Sequence, residues 1–224
     1  MGLYAYCVVP AAFEPHGVVG IDGSTVSCFE GSDLGCWVSS LDLRPEPALD
    51  RIRAHDTVIQ AAITEDVTPV PIRFGQWLDS AAALQNHLQL NAGRYTTLLK
   101  RFAGALEFGL RVLDPNRSAR VPAPPDTTSG TAYLTALRDQ LRGAELDEPD
   151  IAEVRGALHA EFEGLVRDEQ FEPLRTPHGV LSVMHLVERA AFDEYRARLS
   201  RVRRARPQLR FLASGPWPPY SFAA

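Results

Sequence analysis

Four prolines fall within residues 114–130 (DPNRSARVPAPPDTTSG), among Ser, Thr and Gly. Each proline removes a backbone donor and fixes φ, so this stretch reads as a loop or linker. Whatever folds before it and after it must draw on separate runs of sequence. On both sides, short apolar segments of strand period alternate with longer segments of helical period. The pattern predicts an α+β protein of two domains.

The first half begins with Leu3–Val9, rich in aromatic and β-branched residues and expected to be a strand. Ser24–Phe29 and Cys36–Leu41 predict two more strands, parted by the turn-like Gly31-Ser32-Asp33. Pro45 and Pro47 suit the first turn of a helix over 46–65, in which Leu49, Ile52, Ile59 and Ile63 recur at helical spacing. VTPVPIRFG (67–75) then alternates, with Val70, Ile72 and Phe74 on one side and Pro69, Pro71 and Arg73 on the other. Two prolines place this strand at an edge or on a bulge. Residues 79–103 predict the longest helix, with a stripe of Leu84, Leu88, Tyr95, Leu98, Leu99 and Phe102. Gly93 weakens it by about 1 kcal/mol relative to alanine.

Leu106–Leu113 predicts a strand. Beyond the linker, helices are expected at 131–143 and 150–167, with a short third one near 168–174. Gly179–Val187 reads as a strand, 190–206 as a helix and Leu209–Ala213 as the last strand. This order resembles a ferredoxin-like split βαβ unit with extra helices inserted. The expected division is an N-terminal mixed α+β domain over 1–103 and a C-terminal modified ferredoxin-like domain over 104–224, carrying a helical insertion at about 127–175.

The chain has 224 residues and a net charge of −5, which argues against a general nucleic-acid binder. Its three cysteines, Cys7, Cys28 and Cys36, are odd in number and lack paired spacing, so they form no disulfide framework. The N-terminus lacks the basic region of a secretory signal. No apolar run approaches the roughly 20 residues of a membrane helix. The expected compartment is the cytoplasm.

Catalytic motifs are missing from the sequence: no P-loop, Rossmann glycine pattern, nucleophile elbow or HExxH occurs. His178 and His185 are the closest pair of the six histidines, yet they stand roughly 23 Å apart along a strand, on opposite faces. His55 precedes Asp56 on a helix, where neighbours do not face each other. It reads as a satisfied, partly buried histidine. Accordingly, no catalytic residue, cofactor site or metal site is assigned. Arg73 is expected to make a structural ion pair, with Glu107 as the candidate partner. Acids crowd residues 145–172 and arginines crowd 189–206. These runs read as two solvated helix faces that attract each other, or more sharply as recognition surfaces.

The C-terminus, Gly215-Pro216-Trp217-Pro218-Pro219-Tyr220-Ser221-Phe222, is the most unusual segment. Its prolines favour polyproline II, and its aromatic residues offer large apolar faces at low entropic cost. It either folds back to close its own domain or presents a patch to a partner. The candidate partner-binding residues are Trp217, Pro218, Pro219, Tyr220 and Phe222, joined by Arg73 and Phe74.

GPWPPYSF resembles the C-terminal signature of the GvpL/GvpF family of gas vesicle proteins. LYAYCVV resembles that family's opening strand, His55 with VIQAAI and TPVPIRFG its histidine-bearing helix and following strand, and LEFGLRVL a later strand. LSVMHLV departs from the family pattern, with Val183-Met184-His185 where an Ala-Tyr pair is usual. The resemblance implies two α+β domains, the second modified ferredoxin-like, and no enzymatic activity or cofactor. It implies a minor component or assembly factor associated with gas vesicles, whose partners are the main shell protein and other accessory proteins. The competing classes are a ferredoxin-like small-molecule enzyme or regulator, and an RNA-binding module using the arginine helix.

Overall fold

The computed structural model describes residues 2–31, 33–116, 149–174, 176 and 178–223. The helix expected at 131–143 and most of the 114–130 stretch lie outside the described residues. The chain packs as two compact units, one of Met1–Glu107 with Pro216–Ala224, the other of Phe108–Gly215. The C-terminal segment thus packs with the first half of the chain, whereas the sequence reading grouped it with the second.

The first unit is organised around β1 (Gly2–Pro10). β3 (Leu34–Leu41) pairs antiparallel with one edge of it, and β2 (Ser27–Glu30) extends the sheet beyond β3. The other edge of β1 receives two short pieces, β4 (Val70–Pro71) and β5 (Trp77–Leu78). A strand flanked on both sides reads as a near-continuous apolar run, and Tyr4 to Val9 are all buried. The register slips at Tyr6, between the pairs Ala5↔Val38 and Cys7↔Trp37, a bulge that re-aims the Tyr6 side chain. Its hydroxyl accepts from the Ile21 amide (3.0 Å) and donates to Ser39 Oγ (3.0 Å), which in turn donates to the Thr25 carbonyl (2.9 Å). Gly20 is required beside this chain, because a Cβ there would stand 2.3 Å from the Tyr6 oxygen.

VTPVPIRFG forms much less strand than its alternation suggests. Only Val70–Pro71 enters the ladder; after Ile72 donates to the Tyr6 carbonyl (2.9 Å), the chain arches away and returns at β5. α1 (Leu49–Ala61) is shorter than 46–65, and its inward face is His55, Val58 and Ile59 with Ala62, while Leu49 and Ile52 are exposed. The expected 79–103 helix is two helices, α2 (Ala81–Leu90) and α3 (Ala92–Phe102). Asn91 breaks it: its side-chain amide donates to the His87 carbonyl (2.8 Å), offering the backbone an alternative to helix. His87 Nε2 and the Tyr95 hydroxyl, 2.8 Å apart, tie the two pieces together.

In the second unit, the four-stranded sheet has the order β7-β8-β6-β9, with β6 (Ala105–Leu113), β7 (Val166–Pro173), β8 (Gly179–Glu188) and β9 (Arg210–Trp217). α4 (Pro149–Phe162) and α5 (Phe192–Ala205) share its core, which includes Leu110, Leu158, Phe162, Val183, Tyr195 and Leu199. The short helix expected near 168–174 is instead strand β7. Its ladder to β8 runs from Val166↔Val187 to Pro173↔Leu181, and Phe171 packs on the core. A few residues of weak helical pattern cannot compete with a full ladder and a buried aromatic. Arg198 Nη1 donates to the carbonyls of Glu161 (2.8 Å) and Glu163 (3.2 Å), satisfying acceptors at the end of α4. The acidic and arginine runs do meet, through Arg201 and Glu161 at 3.2 Å, although both side chains are substantially exposed and the pair is weak.

His185 is fully buried on β8, with Nδ1 3.0 Å from the Tyr195 hydroxyl and Nε2 3.8 Å from Glu169 Oε2. Burial disfavours its charged form and pushes its pKa down to about 4 from 6.5. The unfolded chain therefore binds the proton more tightly. Stability from this residue is intact above pH 6.5 and is lost as pH falls toward 4. The full loss is about 3 kcal/mol at 1.36 kcal/mol per unit, an upper bound because the Glu169 carboxylate favours the charged ring. Urea unfolding of the second unit at pH 7 and pH 4.5 is expected to show this loss, and a His185→Gln chain is expected to lose clearly less.

Candidate functional site

The partner-binding candidates of the sequence, Arg73, Phe74 and the tail residues 217–222, belong to the first unit, where a set of side chains joins the N-terminal strand to α1 and the arch after β4. β1 supplies Tyr4, α1 supplies His55 and Asp56, and the arch after β4 supplies Ile72 to Gly75. His55 is 3% exposed and uses both ring nitrogens. Nε2 lies 2.9 Å from the Ile72 carbonyl, which can only accept. That nitrogen therefore carries the proton, and Nδ1 accepts from the Tyr4 hydroxyl at 2.9 Å. The Tyr4 oxygen accepts in turn from the Gly75 amide at 3.1 Å. The chain Gly75 to Tyr4 to His55 to Ile72 closes on the arch, clamping both of its ends. Gly75 adopts φ +92°, a region open to glycine.

Phe74 packs edge-on against Tyr4 and His55, with centroids 5.9 and 5.6 Å away. Arg73, beside it, is exposed. The expected Arg73–Glu107 pair does not form. Both Glu107 oxygens are taken by Ser221, whose amide and hydroxyl each donate at 2.8 Å. Burial raises the Glu107 pKa, and the two Ser221 bonds work against that rise. Burial also lowers the pKa of His55, and the hydrogen bond to Ile72 opposes it. A histidine with both nitrogens committed and its neutral form favoured holds a scaffold in place and is poorly suited to proton transfer.

The tail docks in the same unit. The Tyr220 hydroxyl donates to Asp56 Oδ1 at 2.9 Å, and Arg94 donates to the Ala223 carbonyl. The Arg101 guanidinium lies 5.8 Å from the centre of the Phe222 ring. Pro218, Pro219 and Phe222 are buried, Tyr220 is half-buried, and Trp217 is 40% exposed. The structure thus brings Tyr220 and Phe222 onto the α1, α3 and β6 side chains, and leaves Trp217 and Arg73 facing outward. Tyr4, Asp56 and Ser221 were not singled out by sequence reading. Tyr4 had a usable signal, a hydroxyl-bearing ring on a strand otherwise built to be buried. Asp56 and Ser221 had none, because their partners lie 164 and 114 residues away in the chain.

Other chemistry is sparse. Cys7, Cys28 and Cys36 are free thiols, and burial raises the pKa of all three, that of Cys28 to about 11, so they stay protonated at neutral pH. Among the described residues, no group of three or more His, Cys, Asp or Glu is placed to hold a metal ion. A cavity of about 450 Å³ in the second unit is lined by Arg155, His159, Glu169 and Phe171 among others; a second of about 450 Å³, in the first unit, is lined by Phe13, His16 and Trp37 among others. Neither is lined by His55 or Arg73. On α5, Arg196 pairs with Asp193, Arg198 with Glu194, Arg201 with Glu194 and Glu161, and Arg203 bonds the Phe211 carbonyl. These arginines are occupied within the protein, which weakens an RNA-binding reading.

Two measurements check this arrangement. Tyr4→Phe removes the donor to His55 and the acceptor for Gly75, and is expected to cost about 1–3 kcal/mol in denaturant unfolding. Phe222→Ala is expected to cost about 3–5 kcal/mol as a buried aromatic truncation, whereas Trp217→Ala should cost less than about 1 kcal/mol, as befits a surface substitution.

The sequence profile of the family described as gas vesicle synthesis protein GvpL/GvpF matches residues 2–224. Gas vesicle protein F2 of Halobacterium salinarum is 26% identical over 227 residues, covering 98% of this chain and 91% of the relative. Gas vesicle protein L of a Streptomyces species is 28% identical over 186 residues, covering 78% of this chain and 69% of the relative. Crystal structures of gas vesicle protein GvpF from an Anabaena species and from Microcystis aeruginosa superpose with TM-scores of 0.77 and 0.73 over 100% of this chain and 96% and 99% of theirs. Both are 16% identical, so that likeness speaks to the fold, a mixed α+β architecture with two sheets. With a match running through nearly its whole length, this chain belongs to the GvpL/GvpF family of gas vesicle synthesis proteins.

Proposed function

We propose that this chain is an accessory factor that binds the main gas vesicle shell protein while the vesicle wall is built, working in the cytoplasm beside other accessory proteins of the same system. Its membership in a gas vesicle synthesis family supports this reading. So does the physical problem such a wall poses. A shell that keeps water out needs a strongly apolar inner face, so its subunits are prone to aggregate before assembly. A protein that covers such a surface needs rigid apolar contacts, not a reactive centre.

One observation carries the proposal. The tail is pinned by Tyr220, Ser221 and Phe222, yet Trp217 stands 40% exposed on that anchored segment. An aromatic ring on an immobilised backbone binds with little ordering cost. Arg73, held on a clamped arch, is a second outward group of the same kind. Pro218, Pro219 and Phe222 are buried on the same segment as Trp217 and hold it in place. In the second unit, we read the succession β6, α4, β7, β8, α5, β9 with order β7-β8-β6-β9 as a ferredoxin-like sheet. That architecture alone indicates no particular chemistry.

Deleting the gene from its native cluster is expected to abolish light-scattering vesicles. In co-expression with the shell protein, Trp217→Ala is expected to reduce its capture by about tenfold, near 1.4 kcal/mol, with the melting temperature little changed. Normal vesicles in the deletion strain would refute the assembly role. Unchanged capture by Trp217→Ala would refute the part given to the tail.

A further inference from the structure

Charged and apolar groups alternate in an ordered way between α4 and β7. His159 Nδ1 donates to Glu169 Oε1. One helical turn back along α4 and two residues on along β7, the Arg155 guanidinium lies 5.1 Å from the centre of the Phe171 ring. Helix and strand therefore run in opposite directions, and the next level sets Ile151 toward Pro173, whose β8 partner is Leu181. All of these residues line the cavity of about 450 Å³ in the second unit, a volume usual for small-molecule sites. One end of it is polar and the other apolar. Arg155 has no carboxylate partner among the described residues, and its stack on Phe171 fixes the guanidinium plane while leaving the N–H fork free. His159 commits Nδ1 to Glu169 and leaves Nε2 uncommitted. Glu169 does not confront an incoming anion, because Oε1 is taken by His159 and Oε2 is buried. Gly156 also lines the cavity. A helix interior disfavours glycine, yet a Cβ at Gly156 would meet nothing within 4 Å. Packing does not demand glycine there, and a larger side chain at this lining position would take up the cavity's space.

We propose that this cavity binds an aliphatic carboxylate. Its head pairs with the Arg155 fork beside His159, and its chain runs past Phe171 toward Ile151, Pro173 and Leu181. A planar guanidinium with no internal acid matches a carboxylate through two parallel hydrogen bonds. The apolar end then removes the chain from water. Residues 169 and 173 stand about 13 Å apart on a strand rising about 3.3 Å per residue, which sets the length of body the site takes. An ammonium head fits poorly, because it would meet the unpaired Arg155 charge. The same head and body occur on a free acid and at the C-terminus of a peptide ending in an apolar residue. The site belongs to the second unit alone and does not depend on the assembly reading above.

Octanoate is the probe, titrated by calorimetry into the full chain. Octanol serves as the same body without the charge, and acetyl-alanyl-leucine as the same head at a peptide end. Octanoate is expected to bind once per chain with a millimolar or tighter Kd, and octanol at least about tenfold more weakly. Arg155→Ala removes the fork, and Gly156→Leu fills the cavity while favouring the helix. Each is expected to weaken octanoate binding at least about tenfold, with circular dichroism and thermal melting as checks on folding. On the unaltered chain, amide NMR shifts during titration are expected at 151–159 and 169–173, a readout that does not depend on how the variants fold. Octanoate binding more tightly than the peptide assigns a free acid as the source, and the reverse assigns a chain end; both support the carboxylate site. No binding of either carboxylate, octanol binding as tightly as octanoate, either variant binding octanoate like the unaltered chain, or shifts confined to other residues overturns it.

Discussion

The first unit depends on one neutral histidine. His55 reaches from α1 across to the arch after β4 and takes the Tyr4 hydroxyl on its other nitrogen. Without that bridge, the Ile72 carbonyl and the Tyr4 hydroxyl would be left without these partners, each a penalty of about 1–3 kcal/mol. The bridge works only in one protonation state. A second ring proton would meet the Tyr4 hydroxyl, which has no other acceptor in this arrangement. Burial and hydrogen bonding therefore agree on the neutral tautomer, and the RFG arch is tied to the helix through it.

The next residue on α1 extends the same logic to the end of the chain. His55 faces the interior, and Asp56, one position on, receives the Tyr220 hydroxyl. Glu107 receives Ser221 twice. Two carboxylates far apart in sequence thus fix a segment that would otherwise be a free terminus, and Phe222 fills a buried position beyond them. The prolines that stiffen the tail reduce the entropy lost when it docks. The sequence left open whether the tail folds back or presents a patch; in the structure most of it is an internal strut, with Trp217 left outside.

Much of this was legible from residue patterns. The apolar run of β1, the proline interruptions at 69 and 71, and the strand at 179–187 follow from period and from proline's missing donor. The tail also stood out as the most unusual segment. The failures share a physical cause. On α1 the burial of His55 and Ile59 was legible, but the rest of the inward face was misread: Val58 and Ala62 complete it, while Leu49 and Ile52 lie outside it. The 168–174 segment was misread because its strand character comes from the β8 ladder, a tertiary contact that overrides a weak local preference. The break at Asn91 was missed because it needs a side chain bonding its own preceding turn. The Glu107 partner was wrong because distant pairings between a carboxylate and a serine leave no local trace.

The central claim is that the C-terminal segment is held in the first unit by specific hydrogen bonds and so presents a fixed surface. A double-mutant cycle between Tyr220→Phe and Asp56→Ala, read by denaturant unfolding, tests it most directly. The account expects a coupling energy of about 1–2 kcal/mol between the two positions, as for a hydrogen bond to a charged acceptor. Strictly additive effects, with no coupling beyond experimental error, would show that the tail is not docked as described.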